Sequence, residues 1–600
     1  MALRTSNDQQ DAITDSNEPR GEEEIINSNK RDSLKNRPGI LGVLRRHVKY
    51  LGPGVVASAA YYDPGNWATD LEAGSRFGNS HLFVLVVAIA MAIFLQILAS
   101  RLGYISRKDI AENCRESLYS RPKYPRSTRW LVFYPLWLLF EIGIIFADIG
   151  ELLGSAIAYT LLIPQIPIWG AVLLTFPEVF LSLLFFREGK QSKRSLKFFE
   201  VMITIVVMAV VVSSLILFFK IKPNALHLLK GYVPSSTLVT GTGFYYAIGI
   251  IGATIGPHSL ILGSTLAKID AADDESRDQK YNEITPIQLP YPDLDSKANE
   301  TENQNSSPLI DRSPLVVMDG FLTRRTVREY KSYLYHSSFD IAASLLTLPL
   351  IVNSAILAVA SKVYFYDHLP ALEIEREVAD IASMHSLLSS MLGRGFGTLF
   401  AISLLLSALA ASLTITIAGQ SVSSGFLKVE TSPLIRRLVT RTIGIIPSAI
   451  ISAALGKEGV NKMLIASQVA LSVVLPFSIL PLAIFTSKRS VMSKVCADKK
   501  PRLDLRRIDN EGTQCLDGDE MASSRNLDGR GNFLKLEKSK RITEKDGSTL
   551  SFDDPRIEQN DGLVVHFFSN HISVKLIVGL LVVVVTVANA YGVSQAAKEG

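Results

Sequence analysis

An aspartate, a proline, a glycine and an asparagine stand in a row, Asp63-Pro64-Gly65-Asn66, inside a stretch that is otherwise apolar. Pro64 has no backbone N–H and pushes Asp63 out of helical geometry, while Gly65 accepts almost any backbone angle. A helix through residues 50–77 must therefore break here. A break at membrane depth exposes carbonyl groups that need partners, and a cation satisfies them well. Asp63 offers negative charge and Asn66 a neutral oxygen. The plain alternative is a proline kink with a paired aspartate, but a carboxylate within a membrane span is costly and so is a functional candidate by default. A second interruption, Gly252-Ala253-Thr254-Ile255-Gly256-Pro257-His258-Ser259, sets a Gly-Pro step and a histidine in another apolar stretch. Alone, His258 would read as a buried structural histidine. Beside the first break it reads as part of a site.

The elements that must carry these residues are membrane helices. The chain has 600 residues, 48% of them hydrophobic, with a mean hydropathy of +0.23. Charge is segregated from apolar runs, several of which reach the ~20 residues needed to cross a bilayer. Examples are 199–219, 396–417 and 572–590. Eleven apolar segments can be marked: 50–77, 80–105, 130–162, 165–186, 196–220, 237–267, 337–365, 394–425, 436–456, 461–486 and 568–593. The expected fold is an all-α polytopic membrane protein with eleven transmembrane helices. The breaks fall in segments one and six, the first members of two five-helix halves. Interrupted helices at matching places in two halves point to the substrate site of an inverted-repeat transporter.

Lys and Arg near the helix ends set the expected orientation. Arg45, Arg46 and Lys49 precede segment one, and basic residues crowd 107–129 and 187–197, whereas 163–166 has none. The N-terminus is therefore expected in the cytoplasm and the C-terminus outside. The chain divides into a disordered cytoplasmic tail (1–45), the first repeat with helix six (46–267), a cytoplasmic polar loop (268–335), helices seven to ten (336–486), a second cytoplasmic loop (487–567), and helix eleven with the C-terminus (568–600). The two loops are candidate docking sites for regulators. Asn299 and Asn305 match the glycosylation pattern but fall on the cytoplasmic side, so no glycan is expected. No signal peptide is visible. Cys114, Cys496 and Cys515 lack CxxC spacing, which argues against a structural zinc or a disulfide framework. No P-loop, dinucleotide fingerprint, Ser-His-Asp order or HExxH motif occurs. The basic connections are explained by topology rather than nucleic acid.

Asp63-Pro-Gly-Asn66 with Gly256-Pro-His-Ser259 resembles the Nramp family of proton-coupled divalent-metal transporters. Further likenesses are Lys108-Asp109-Ile-Ala-Glu-Asn-Cys-Arg115, Ala147-Asp148-Ile-Gly-Glu151, Val352-Asn353-Ser-Ala-Ile-Leu357, Ile417-Ala-Gly-Gln420, and Ala466-Ser-Gln468 with Val474-Leu-Pro-Phe477. The resemblance spans about 45–486 and is nearest to the fungal Smf-type branch, where Pro-His-Ser is followed by Leu-Gly-Ser, as at Leu262-Gly263-Ser264. It implies a LeuT-like 5+5 inverted repeat with the metal between the breaks. It makes Asp63, Asn66 and Gln468, with the carbonyls of Ala60 and Ala253, the metal-binding positions. It makes His258, Asp148 and Glu151 the proton route, and Pro64, Gly65 and Pro257 the residues that break the helices. Asp148 and Glu151 share a helix face, and their plain alternative is ion pairing with Arg436, Arg437 or Arg441.

Two departures bear on specificity. Gly256 stands where the family usually has methionine, a soft ligand that favours transition metals. Glycine leaves oxygen or water to fill the gap, which suits Mg²⁺ or Mn²⁺ better. A Gly-Gln-Ser run common in segment eight is replaced by Ala408-Leu409-Ala410. The expectation is a secondary transporter of Mn²⁺ or Fe²⁺ with protons, working by alternating access. It is no enzyme, has no cofactor and binds no nucleic acid; its partners are metal ions, protons and membrane lipid. The membrane is the plasma membrane or an endosomal or vacuolar one. Alternatives are the same fold carrying Mg²⁺, and a non-transporting metal sensor. A sodium-coupled amino-acid carrier is disfavoured because Asp63 would repel a substrate carboxylate.

Overall fold

The computed structural model describes residues 61, 63–119, 124–179, 205, 208, 211–212, 214–284, 326–347, 349–366, 380–429, 432–497 and 563–599. The N-terminal tail, Ala60, most of segment five, both sequons and Cys515 lie outside the described residues. Seven helical stretches among those described are long and apolar enough to cross a membrane. The principal helices are α1 (Pro64–Phe77), α2 (Leu82–Ser106), α3 (Ile110–Cys114), α4 (Tyr134–Leu162), α5 (Ile168–Leu174), α6 (Gly241–Ile255), α7 (Pro257–Ile284), α8 (Val327–Thr347), α9 (Pro349–Ala360), α10 (Ile381–Leu392), α11 (Arg394–Val422), α12 (Pro433–Ser487) and α13 (Ile572–Glu599).

The second expected interruption is present in the backbone, and at the first α1 starts where the break was expected, the residues before Tyr61 lying outside the described ones. Asp63 is extended, with φ −72° and ψ 157°, and caps α1, which opens with Pro64 in its first turn. This is where proline is tolerated, because the missing N–H would have had no helical partner. α6 ends at Ile255 and α7 begins at Pro257, with Gly256 between them at φ +40°. The long α12 reverses its backbone at Gly456, with φ +62°, between the segments marked at 436–456 and 461–486.

Packing is organised around α4. It lies along α12 and α11, while α2 lies along α7, and α1 sits against α4, α6, α9 and α12. The contact between α1 and α4 depends on Gly154. A β-carbon there would fall on the ring of Pro64. The residue that breaks the first helix is thus seated directly on α4, the helix that carries Asp148 and Glu151.

The structure corrects both polar loops. Residues 268–284 continue α7, and α8 already starts at Val327. These extensions are tied together outside the apolar spans. Tyr333 donates to Asp270 Oδ2 (2.7 Å) and Tyr104 to Asp274 Oδ2 (3.0 Å), and the two tyrosine rings stack at 3.6 Å. The second loop is bounded by two short antiparallel strands, β1 (Ser493–Ala497) and β2 (Leu563–Phe567), with Val495 opposite Val565. Their alternating and β-branched residues suit a ladder, but high local charge masked them in a hydropathy reading.

Gly154→Leu tests the seat of the first break. Overpacking a close-packed contact costs about 1–3 kcal/mol, and here the obstacle is a rigid proline ring. The variant is expected to melt earlier than the wild type in a detergent thermal-stability assay. Unchanged melting would show that α1 and α4 do not depend on this contact.

Candidate metal site at two helix breaks

Asp63, Asn66, Ala253 and Thr254 meet where α1 starts and α6 nears its end. Asp63 Oδ1 accepts from the Asn66 backbone N–H (2.7 Å) and from Asn66 Nδ2 (2.6 Å). The same amide nitrogen donates to the Ala253 carbonyl at 3.2 Å, and Thr254 Oγ1 donates to Asn66 Oδ1 at 3.3 Å. All four residues are buried. A positively polarised NH₂ group thus lies between a carboxylate oxygen and a carbonyl oxygen contributed by two different helices. That is the environment a cation would seek, and it is built mainly from hard oxygen donors. Thr69 supports the first turn by donating to the carbonyls of Gly65 and Asn66 (both 3.0 Å).

Gln468 joins this cluster from α12. Its amide lies against Gly65 and faces Gly150, so closely that a β-carbon at Gly65 would overlap it. Its Nε2 donates to Ser467 Oγ at 3.0 Å, while the buried Oε1 has no partner among the described residues. One acceptor is therefore available beside the breaks. Among the described residues no three His, Cys, Asp or Glu side chains converge in a metal-holding group. A site here would rely on one carboxylate, amide oxygens and backbone carbonyls.

Gly256 and His258 define the second break. At φ +40° the Gly256 backbone is in a region that side chains disfavour. A β-carbon would also stand 2.7 Å from His258 Cε1 and 3.0 Å from Nδ1. The imidazole therefore occupies part of the space into which a residue-256 side chain would grow. Both ring nitrogens of His258 are buried without a partner among the described residues. The free end of α6 is stitched locally, because Ser259 N–H and Oγ both donate to the Gly256 carbonyl (3.0 and 2.9 Å).

The acidic pair of α4 separates. Asp148 Oδ1 accepts from Arg437 Nη1 (2.9 Å) and Arg441 Nη1 (3.1 Å). Arg441 Nη2 also reaches Glu178 Oε2 at 2.7 Å, and Arg437 contacts the Ser412 hydroxyl. Arg436 pairs instead with Glu141 at 2.7 Å. Glu151, one turn from Asp148, is buried, and its Oε2 has no partner among the described residues. The ion-paired alternative thus describes Asp148, with Arg437 and Arg441, but not Glu151.

Four functional candidates were missed by reading the sequence. Glu178 follows Pro177 in the apolar segment four, where a lone carboxylate was itself a signal. Thr254 is a short polar residue within a break already marked, and nothing in its identity separates it from a packing threonine. Asp70 is buried on α1 with neither oxygen partnered among the described residues. Glu72 accepts from Arg76 (2.8 Å), Tyr246 (2.5 Å) and Asn461 (3.0 Å). Both acids lie in segment one, where the stronger Asp63 motif drew the eye.

The chain is similar to known proteins over most of its length. Residues 54–502 match the family model described as Nramp, natural resistance-associated macrophage protein-like. The chain is 37% identical over 454 residues to the manganese transporter pdt1 of Schizosaccharomyces pombe, covering 75% of this chain and 77% of that one. It is 34% identical to the manganese transporter SMF1 of Saccharomyces cerevisiae, covering 78% and 76%. It is 32% identical to the iron transporter SMF3 of the same yeast, covering 75% and 84%. Its fold matches a crystal structure of the Eremococcus coleocola manganese transporter with a TM-score of 0.60 at 24% identity, covering 92% of this chain and 88% of that one. The chain therefore belongs to the Nramp family, multi-pass membrane proteins that transport metal ions and are not enzymes.

Proposed function

We propose that this chain is a secondary transporter of divalent transition metals, Mn²⁺ or Fe²⁺, coupled to protons, with the metal bound between the two breaks. The observation that carries this reading is the convergence of Asp63 Oδ1 and the Ala253 carbonyl, from separate helices, on the one amide nitrogen of Asn66 at 2.6 and 3.2 Å. Turning that amide about its Cβ–Cγ bond would present Oδ1 in place of Nδ2. Asp63, Asn66 and Ala253 would then offer three oxygens to an incoming ion, with Gln468 Oε1 nearby. Because Gln468 belongs to α12 while the other oxygens belong to α1 and α6, a movement of α1 and α6 against α4 and α12 would bring its Oε1 to the site or take it away. This is the requirement for alternating access. The manganese and iron transporters among the relatives support the choice of cargo.

In this reading His258, Glu151 and Asp148 form the proton route. Glu151 and His258 have unpartnered polar atoms that can take up and release a proton. Asp148 is held by two guanidinium groups and would set the local charge balance. A second reading, the same transporter carrying Mg²⁺, is favoured by one observation: Gly256 supplies no sulfur at the second break.

Three outcomes check this function in proteoliposomes. Asp63→Ala should reduce Mn²⁺ uptake to the level of empty vesicles while the protein remains folded, since the cluster loses its carboxylate. Uptake at the wild-type rate would remove the proposed site. Glu151→Gln keeps the shape but not the titration, so metal-driven proton flux should collapse while Mn²⁺ binding by calorimetry persists; proton flux at the wild-type level would return Glu151 to a structural role.

The third outcome concerns selectivity. With no thioether at position 256, Mg²⁺ excess should compete with Mn²⁺ uptake, and Cd²⁺ preference should be weak. Gly256→Met would add a thioether at this position, but φ +40° and the adjacent His258 ring oppose it. Left-handed backbone at a bulky residue costs about 1–3 kcal/mol. The variant is expected to lose stability and recover little Cd²⁺ preference. Strong Cd²⁺ competition in the wild type would place soft-metal discrimination elsewhere in the site.

A further inference from the structure

Glu72 of α1 is buried away from both breaks, and its two oxygens serve different helices. Oε1 accepts from Arg76 Nε and Nη2 on its own helix (3.0 and 2.8 Å) and from the Tyr246 hydroxyl of α6 (2.5 Å). Oε2 accepts from Asn461 Nδ2 of α12 (3.0 Å). The same three helices carry the candidate metal site. Glu72 follows Gly65, on which Gln468 packs, by seven residues; Tyr246 precedes Ala253 by seven, and Asn461 precedes Gln468 by seven. Seven residues are almost two helical turns, ~10 Å along the axis, and return to the same helix face. The contacts therefore form two tiers, an inner one at the breaks and an outer one close to where α1 ends, α6 begins and α12 reverses at Gly456. Between the tiers the helices are closed: a β-carbon at Gly249 of α6 would stand 3.4 Å from Thr69 Cγ2 of α1 and 3.6 Å from Val469 Cγ2 of α12.

A permanent contact between three helices does not need a carboxylate, because apolar groups of similar volume hold helices together without the desolvation of a charge. What Glu72 adds is a bond that can open without leaving a charge unpaired. Arg76 lies one turn further along α1 and stays beside Glu72 wherever α1 goes. Parting from Asn461 breaks a single hydrogen bond to a neutral amide and keeps the ion pair whole. Tyr246 stands differently, since it belongs to α6, which moves with α1 in the transport reading above.

We infer that Glu72 is the joint of an outer gate: Oε1 fastens α1 to α6 through Tyr246 as one moving unit, and Oε2 closes that unit against Asn461 of α12. The inference rests on the metal lying between the breaks and on movement of α1 and α6 against α12. Release of Asn461 opens the space around Gly249 to the face of the protein at which α1 ends.

Gly249→Cys places a reporter between the tiers, where a β-carbon meets its neighbours at ordinary van der Waals distance. Its reaction with a hydrophilic thiol reagent is followed by peptide mass spectrometry on the full-length protein in nanodiscs. Asn461→Ala should speed labelling of the reporter about fivefold or more, the shift that loss of one hydrogen bond produces. Asn461→Asp, which sets a second carboxylate against Glu72, should speed it further. Adding Glu72→Gln to Asn461→Asp returns an amide and a carboxylate in exchanged order and should slow the reporter again. Tyr246→Phe should leave the rate unchanged, because that bond lies within the moving unit. Cys114, buried beyond the far end of α2, should react no faster in any variant. Labelling of the reporter that is unaffected by Asn461→Ala and Asn461→Asp would overturn the inference. So would equal acceleration by Tyr246→Phe, or faster reaction of Cys114, which would mean general loosening. Labelling reads the joint and Mn²⁺ uptake by Asp63→Ala reads the site at the breaks, so either can fail without the other.

Discussion

A helix interrupted inside a low-dielectric medium must find partners for the backbone groups that the interruption releases, because no water is present to take them. Much of this molecule follows from that constraint. At the first break Asp63 caps the new helix start and receives two hydrogen bonds from Asn66. At the second, Ser259 turns back onto the Gly256 carbonyl. The Ala253 carbonyl is satisfied across the gap by Asn66. The two breaks therefore complete one another. On the proposed reading, these are the polar groups that a cation between the breaks would use.

The same medium governs the charged residues. Arg437 and Arg441 are almost fully buried, and their positive charges are offset by Asp148 and Glu178. Removing one partner of such a buried group is expected to cost several kcal/mol, roughly 3–5, because an uncompensated charge remains. The network joins α4, the residues after α5 and α12 into one electrostatic unit. Glu151 borders this unit on α4, between Gly150 and Gly154, on which Gln468 and Pro64 pack.

Gly256 shows how a single position can be bound up with its surroundings. The family resemblance leads one to expect a thioether here, and the glycine could be read simply as a missing ligand. The backbone angle and the nearby imidazole show more than that: His258 occupies part of the space a side chain at 256 would take, and the backbone there has a conformation that side chains avoid. The absence of a side chain at 256 and the placement of His258 are then linked, and adding a side chain without moving the ring is unfavourable.

The position of each break was legible in the sequence because it rests on local chemistry. Proline lacks an N–H wherever it stands, and a carboxylate in an apolar run is conspicuous before any folding is considered. Apolar length likewise marked the spans, and their polytopic all-α character followed. The ends of the polar loops were less legible: 268–284 and 327–335 are charged enough to read as loops, yet they extend helices through contacts such as Tyr333 with Asp270, which join residues distant in sequence. Glu178, Thr254 and the division of labour between Asp148 and Glu151 were decided only by tertiary structure. Three residues of spacing place two acids on one helix face, but which of them meets an arginine depends on how α12 is set against α4. Sequence determined which groups could bind a cation or carry a proton; packing between helices determined which of those groups are free to do so.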